Sequence, residues 1–120
     1  MDRKVLGALG EKKAAEFLRK KKYRIRETNF RCREGEIDII ARDKDYLVFV
    51  EVRTRTGVAF GTPEESVTPV KKERLVSAAL AYLQTHADSP SLWRFDVVAV
   101  EVDQQGQVSR MELIQNAISG

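Results

Sequence analysis

Apolar residues recur along the 120-residue chain with two periods, and the switches between them divide it into helices and strands. From residue 5 to about 22 the period is helical. Advancing ~100° per residue from Leu6 places Gly10, Ala14, Phe17 and Leu18 on one broad face, and Lys12, Glu16 and Arg19 on the other. Gly7, Gly10 and Ala14 are small enough to let this helix lie close on a sheet. Tyr23 to Asn29 alternates as a strand, Phe30 to Glu34 reads as a basic, irregular connection, and Gly35 opens a second strand over Glu36 to about Ala41. Arg42-Asp43-Lys44-Asp45 is a turn without the Asn-Gly signature. Tyr46 to about Arg53 forms a third strand, whose apolar density on both faces predicts a central place in the sheet.

Residues 54–61, rich in Thr, Arg and Gly, read as a mobile loop. Thr62-Pro63-Glu64-Glu65 carries a capping-box pattern and predicts a short helical turn. Thr68-Pro69 repeats the cap and opens the longest helix, Pro69 to Thr85, with Leu75, Ala78, Ala79, Tyr82 and Leu83 on its buried side. Residues 87–91 break it. Trp93 to Val102 is a strongly apolar strand, residues 103–107 a hairpin turn, and Val108 to about Gln115 a last strand. The order α-β-β-β-α-β-β predicts one α/β domain over residues 1–120, a mixed central sheet flanked by two main helices in a three-layer sandwich. The long helix would make a right-handed crossover if the third and fourth strands are parallel.

Composition narrows the chemistry. One cysteine, Cys32, cannot close an internal disulfide, and one histidine, His86, at the polar end of a helix, argues against histidine-dependent nucleophilic catalysis. No run is long enough to span a bilayer, and Met1-Asp2-Arg3-Lys4 leads into an amphipathic segment, so the expected location is cytoplasmic. Net charge is +3, and the excess is uneven. Between Arg19 and Arg33, eight cations including Lys20, Lys21, Lys22, Arg31 and Arg33 face only Glu27. Such a cluster is either a solvated helix end or a surface for nucleic-acid phosphates.

The second and third strands hold acids where packing alone would select Val or Ile. Alternation puts Glu36, Asp38 and Ile40 on one face, and Leu47, Phe49, Glu51 and Arg53 on one face of the next strand. A two- or four-residue turn sets Asp38 opposite Glu51 and Glu36 opposite Arg53, with the Asp38 and Glu51 Cβ atoms about 5 Å apart. Facing carboxylates repel unless a cation or a shared proton intervenes, and Mg²⁺ or Mn²⁺ held by oxygen ligands would relieve them. Arg53 then lies where a phosphodiester gains negative charge in its transition state. The competing reading is a cross-strand ion-pair ladder of Glu36, Asp38, Glu51, Arg53 and Arg55 on a wet face. Glu11, at the edge of the first helix's apolar stripe, is the better placed of the helix acids to reach the sheet, and Glu36 is read as a partner for Arg53. Lys71 is either an exposed first-turn residue or an amine near the site; Asp96, inside an apolar strand, is structural or supports the site.

An Asp followed on the next strand by Glu-x-Arg, with an acid in the first helix, resembles the PD-(D/E)xK nuclease superfamily, the restriction endonuclease-like fold. More narrowly, Gly7-x-x-Gly10-Glu11, Gly35-Glu36-Ile37-Asp38-Ile39-Ile40, Val48-Phe49-Val50-Glu51-Val52-Arg53, Lys71 and Arg94-Phe95-Asp96-Val97-Val98 look like the YraN-like family of small bacterial proteins. The similarity spans nearly the whole chain. It implies Glu11, Asp38, Glu51 and Arg53 as catalytic residues, and Asp38, Glu51 and the Val52 carbonyl as ligands of Mg²⁺ or Mn²⁺. It further implies metal-dependent endonucleolytic cleavage of DNA, including branched or repair intermediates. Lys20, Lys21, Lys22, Arg31, Arg33, Arg55 and Lys71 would contact the nucleic acid. The expected partners are nucleic acid, foremost DNA, and a second copy in a homodimer, with no membrane. One residue departs from the motif, which ends in lysine where this chain has Arg53. A guanidinium stays protonated and cannot act as a general base, so the alternative is a nucleic-acid-binding module that has lost turnover.

Overall fold

A computed structural model describes residues 2–56 and 62–118. The first helix, α1 (Arg3–Lys20), starts where Asp2 accepts the Val5 N–H at 2.8 Å, an N-cap that satisfies one orphan donor. Three strands follow, β1 (Arg24–Cys32), β2 (Gly35–Asp43) and β3 (Tyr46–Thr56). A single 3₁₀ turn, Glu64–Ser66, precedes α2 (Pro69–Thr85), whose Thr68 cap accepts the Lys71 N–H. The chain closes with β4 (Leu92–Val102) and β5 (Val108–Ile114).

The element order is the expected one, but two strands run further than expected. β1 continues to Cys32 through residues expected to be irregular, because its ladder with β2 runs on to Cys32↔Gly35. β3 reaches Thr56, since β4 pairs with it throughout from Tyr46↔Leu92 to Thr56↔Val102. The rest of the predicted loop, residues 57–61, lies outside the described residues.

The sheet is mixed, ordered β1-β2-β3-β4-β5, and β3–β4 is its parallel pair. β3 is central, as its two-sided apolar pattern requires. On one face α1 packs Ala14, Ala15 and Leu18 against Ile39, Val48, Val50 and Val98. On the other, α2 packs Leu75, Ala78, Ala79 and Tyr82 against Ile37, Ile40, Phe49 and Phe95. Each large side chain so buried contributes ~1.5–3 kcal/mol. Gly10 is the point of closest approach of α1: a Cβ there would lie 1.9 Å from Thr54 Oγ1. Gly7, expected to serve the same purpose, faces open space.

Asp96 is structural. Fully buried, it accepts hydrogen bonds from Tyr23 Oη (2.8 Å), Arg94 Nε (3.0 Å) and the Asn116 N–H (2.9 Å), and Arg94 also reaches Asp43 at 2.8 Å. This network ties the start of β1 and the end of β5 to the sheet's centre. His86 stacks on Tyr82, with Nδ1 2.9 Å from the Tyr82 carbonyl oxygen, and completes the end of α2. Among the described residues no helix is long and apolar enough to cross a membrane.

Candidate active site

The site begins with a failure of alternation. The β1–β2 ladder runs Thr28↔Ile39 and then Phe30↔Ile37, skipping Asn29 and Asp38. Asn29 has a φ of 55°, a left-handed conformation that Asn tolerates better than most residues. Across it the pleat changes hand: Ile39 belongs to the core under α1, whereas Ile37, two residues away, belongs to the core under α2. Regular alternation would have put both on one face. Glu36, Asp38 and Ile40 therefore do not form the continuous face expected from the sequence.

The β2–β3 ladder stops at the same place. From Asp43↔Tyr46 it follows the expected register, but its last pair is Ile39↔Val50, so neither Asp38–Glu51 nor Glu36–Arg53 is a ladder pair. Instead the Asp38 carboxylate takes over the role of a strand, accepting the Val52 N–H at 2.8 Å. In an extended strand the N–H and C=O of one residue point to the same side. The Val52 carbonyl hence faces the opening where β2 has left β3. A cleft of about 530 Å³ fills that opening.

Glu11, Asp38, Glu51, Val52, Arg53, Arg31, Arg55 and Lys71 all line this cleft. Glu11 is delivered by the close Gly10–Thr54 contact, and Lys71 by the first turn of α2. Arg53 donates through Nε to Ser66 Oγ at 2.8 Å, and its Nη1 lies 3.9 Å from Glu51. Ser66 in turn donates to the Pro63 carbonyl, so the 3₁₀ turn holds the guanidinium in place. Glu64 anchors that turn to Arg110, which also meets the nearly buried Glu101. Glu36 is not the partner of Arg53: it lies on the exposed rim, 3.4 Å from Arg31.

Burial and the neighbouring Asp38 push the Glu51 carboxyl up to about 8, against the opposing pull of Arg53 and Lys71. Glu11 rises to about 6, again through burial first and Asp38 second. Both lie within hydrogen-bonding reach of Asp38 once one member of the pair carries a proton. Burial and the adjacent Arg53 and Arg55 lower Lys71, a change that Glu51 and Asp38 oppose. Among the described residues no three His, Cys, Asp or Glu side chains are spaced to hold an ion by themselves.

The basic residues divide. Arg33 lines an adjoining cleft of about 440 Å³ that shares Arg31, Glu51, Arg53 and Lys71 with the first. Lys20, Lys21 and Lys22 do not reach either, because they end α1, about ten residues or ~15 Å beyond Glu11. Lys21 covers the Phe17 ring at 4.9 Å. Arg3, Asn29 and Ser66 were not legible as site residues. Asn29 had a weak signal, a left-handed-prone side chain inside a strand, and Ser66 ends a capping-box turn.

The sequence model of the Uncharacterised protein family UPF0102 matches residues 10–100, which include Glu11, Asp38, Glu51, Arg53 and Lys71. This chain belongs to the UPF0102 family. A UPF0102 protein of Symbiobacterium thermophilum is 51% identical over 117 residues, covering 98% of each chain. One from Pelotomaculum thermopropionicum is 49% identical over 115 residues, covering 96% of each, and one from Dehalococcoides mccartyi is 47% identical over 117, covering 98% of this chain and 95% of its own. The YraN-like resemblance carried by the Gly-Glu-Ile-Asp and Val-Glu-Val-Arg runs is thus one of family, and UPF0102 relatives align along essentially the full chain.

Proposed function

We propose that this UPF0102 protein is a metal-dependent endonuclease of the PD-(D/E)xK, restriction endonuclease-like type, hydrolysing phosphodiester bonds in DNA, with branched or repair intermediates as its natural targets. The observation that carries the reading is the divergence of β2 from β3 at Asp38, which leaves Asp38, Glu51 and the Val52 carbonyl around one opening. The donor set fits a hard divalent ion. Mg²⁺ takes one or two carboxylates and fills the rest of its shell with water and substrate phosphate, so a three-acid cage is not needed. Asp38, Glu51 and the Val52 carbonyl would hold Mg²⁺ or Mn²⁺, which when bound supplies Lewis-acid polarisation of the phosphate and a lowered pKa for water.

The chain's own residues supply the remainder. Arg53, fixed by Ser66 and largely withdrawn from solvent, offers a positioned positive charge to a phosphate entering the cleft. It cannot take a proton, but Lys71 stands on the same cleft with a pKa below that of a free lysine. Lys71 supplies the amine that Arg53 does not, orienting water or exchanging a proton with it. Glu11, half-buried on the same cleft with its carboxyl raised to about 6, assists by exchanging a proton with water at the opening. Arg31, Arg33 and Arg55 bring phosphates to the opening, and a homodimer would present two such openings to the two strands of a duplex.

A second reading rests on Arg53 itself: a cleft that binds nucleic acid and no longer cleaves it. Titration calorimetry with Mg²⁺ on wild type and Asp38→Asn, alongside cleavage of plasmid and junction DNA, tests both. The nuclease predicts metal binding in wild type only and cleavage lost in Asp38→Asn and Lys71→Ala. Equal metal binding in wild type and Asp38→Asn refutes the metal site. DNA binding without cleavage by wild type and by Arg53→Lys selects the binding module.

A further inference from the structure

A second set of cations lies at the opposite end of β2. Lys22, Arg24, Arg42 and Lys44 enclose a shallow cavity of about 270 Å³, and they are its lining. All four are exposed, and among the described residues none of them meets a carboxylate within ion-pair distance. Of the acids nearby in sequence, Asp43 is engaged by Arg94 at 2.8 Å, leaving Glu27 and Asp45 as counter-charges to four cations.

Two features show that folding alone does not favour this arrangement. Arg24 and Arg42 are a direct antiparallel pair, and like charges placed opposite one another in a ladder repel. Lys22 and Lys44 have φ values of 73° and 55°, left-handed positions where glycine or asparagine is cheaper. Lys22 follows the Lys21 C-cap of α1, with the Tyr23 N–H bonding back to the Leu18 carbonyl at 3.0 Å, a turn that glycine closes best. Lys44 sits in the two-residue β2–β3 turn. The fold thus carries cations at two strained positions and in one repulsive pair, around a single concavity. Arg42 Nε donates to the Lys44 carbonyl at 3.1 Å, which holds the guanidinium over the turn, and a bound polyanion relieves the repulsion and gives all four an anionic partner.

We infer that Lys22, Arg24, Arg42 and Lys44 form a second phosphate-binding surface that grips the backbone of a nucleic-acid duplex beyond the acidic cleft. The inference rests on the nucleic-acid reading of that cleft and deepens it by fixing a minimum length of substrate. Arg42 is four residues from Asp38 along β2, ~14 Å at strand rise. Phosphates of one strand are spaced ~3.4 Å along a duplex axis, so the surface meets the backbone about four base pairs from the acids.

Lys22→Gly and Lys44→Gly test this, because each removes a cation while placing glycine where the backbone prefers it. Binding of a 20-base-pair duplex and of a dinucleotide is followed by fluorescence anisotropy over a salt series in chelator, with thermal midpoints alongside and Lys12→Ala as the control. The expected result is midpoints at or above wild type and duplex affinity lower several-fold per variant. The log-affinity against log-salt slope should be shallower by about 1 per lysine removed, with dinucleotide binding unchanged. Wild-type affinity and slope in the double variant, a loss no larger than that of Lys12→Ala, or no duplex binding by wild type overturns the surface. Because this readout needs no turnover, a lysine-dependent slope without cleavage sinks the nuclease and keeps the surface, while cleavage with an unchanged slope does the reverse.

Discussion

Replacing Glu51 with glutamine should abolish a pH dependence of stability that the wild-type protein carries in the absence of divalent ions. Glu51 is largely buried beside Asp38, and its carboxyl is raised from an ordinary 4.5 to about 8. Between those limits the folded protein holds a proton that the unfolded chain has released, so stability falls as pH rises through the window. Below about 4.5 and above about 8 the contribution is flat. At ~1.4 kcal/mol per pH unit the full interval sets a ceiling of about 5 kcal/mol. Relaxation of the site and water entry reduce this to on the order of 2 kcal/mol. For a chain of this size that corresponds to about 6–8 °C in thermal midpoint. Glu11, raised to about 6, adds a smaller fall in the same direction over the lower part of the window. The assay is a thermal melt of wild type and Glu51→Gln in chelator between pH 5 and 9. The wild-type midpoint, relative to the variant's, should drop by several degrees between pH 5.5 and 8.5. Parallel curves would refute the premise that Asp38 and Glu51 share one buried field, and the metal reading would lose its driving force.

Two further outcomes probe how the cleft is framed. Gly10→Ala should cost ~1–3 kcal/mol by forcing a methyl into Thr54, whereas Gly7→Ala, facing open space, should gain up to ~1 kcal/mol from helix propensity; equal effects in urea denaturation would discount the close approach of α1 that delivers Glu11. Asp96→Asn should lower stability by about 3 kcal/mol, since it removes the carboxylate that a buried Tyr23 hydroxyl, Arg94 and the Asn116 N–H all use. Magnesium binding per folded molecule should be unchanged in that variant, and a lost metal site in a fully stable protein would overturn the structural role.

The local periods of the sequence were enough to determine both helices, the element order and the centrality of β3, because each depends on side chains a few residues apart, whereas the β2–β3 register hung on a turn length that the fold decides. Acids inside apolar strands likewise mark Asp38 and Glu51 in the sequence alone. What alternation could not supply was the break at Asn29 and Asp38. There Asn29, left-handed, and Asp38 form no ladder pair, the two isoleucines flanking Asp38 enter different cores, and β2 parts from β3 one residue before the acids would have paired. The partnership of Arg53 with Ser66, the arrival of Lys71 from α2, and the separation of Lys22 from Arg31 are also long-range facts. A run of charge in the chain says nothing of direction. α1 lays one part of that run at the far end of the sheet and leaves the other at the cleft, so only the tertiary structure decides which cations share a surface with the acids.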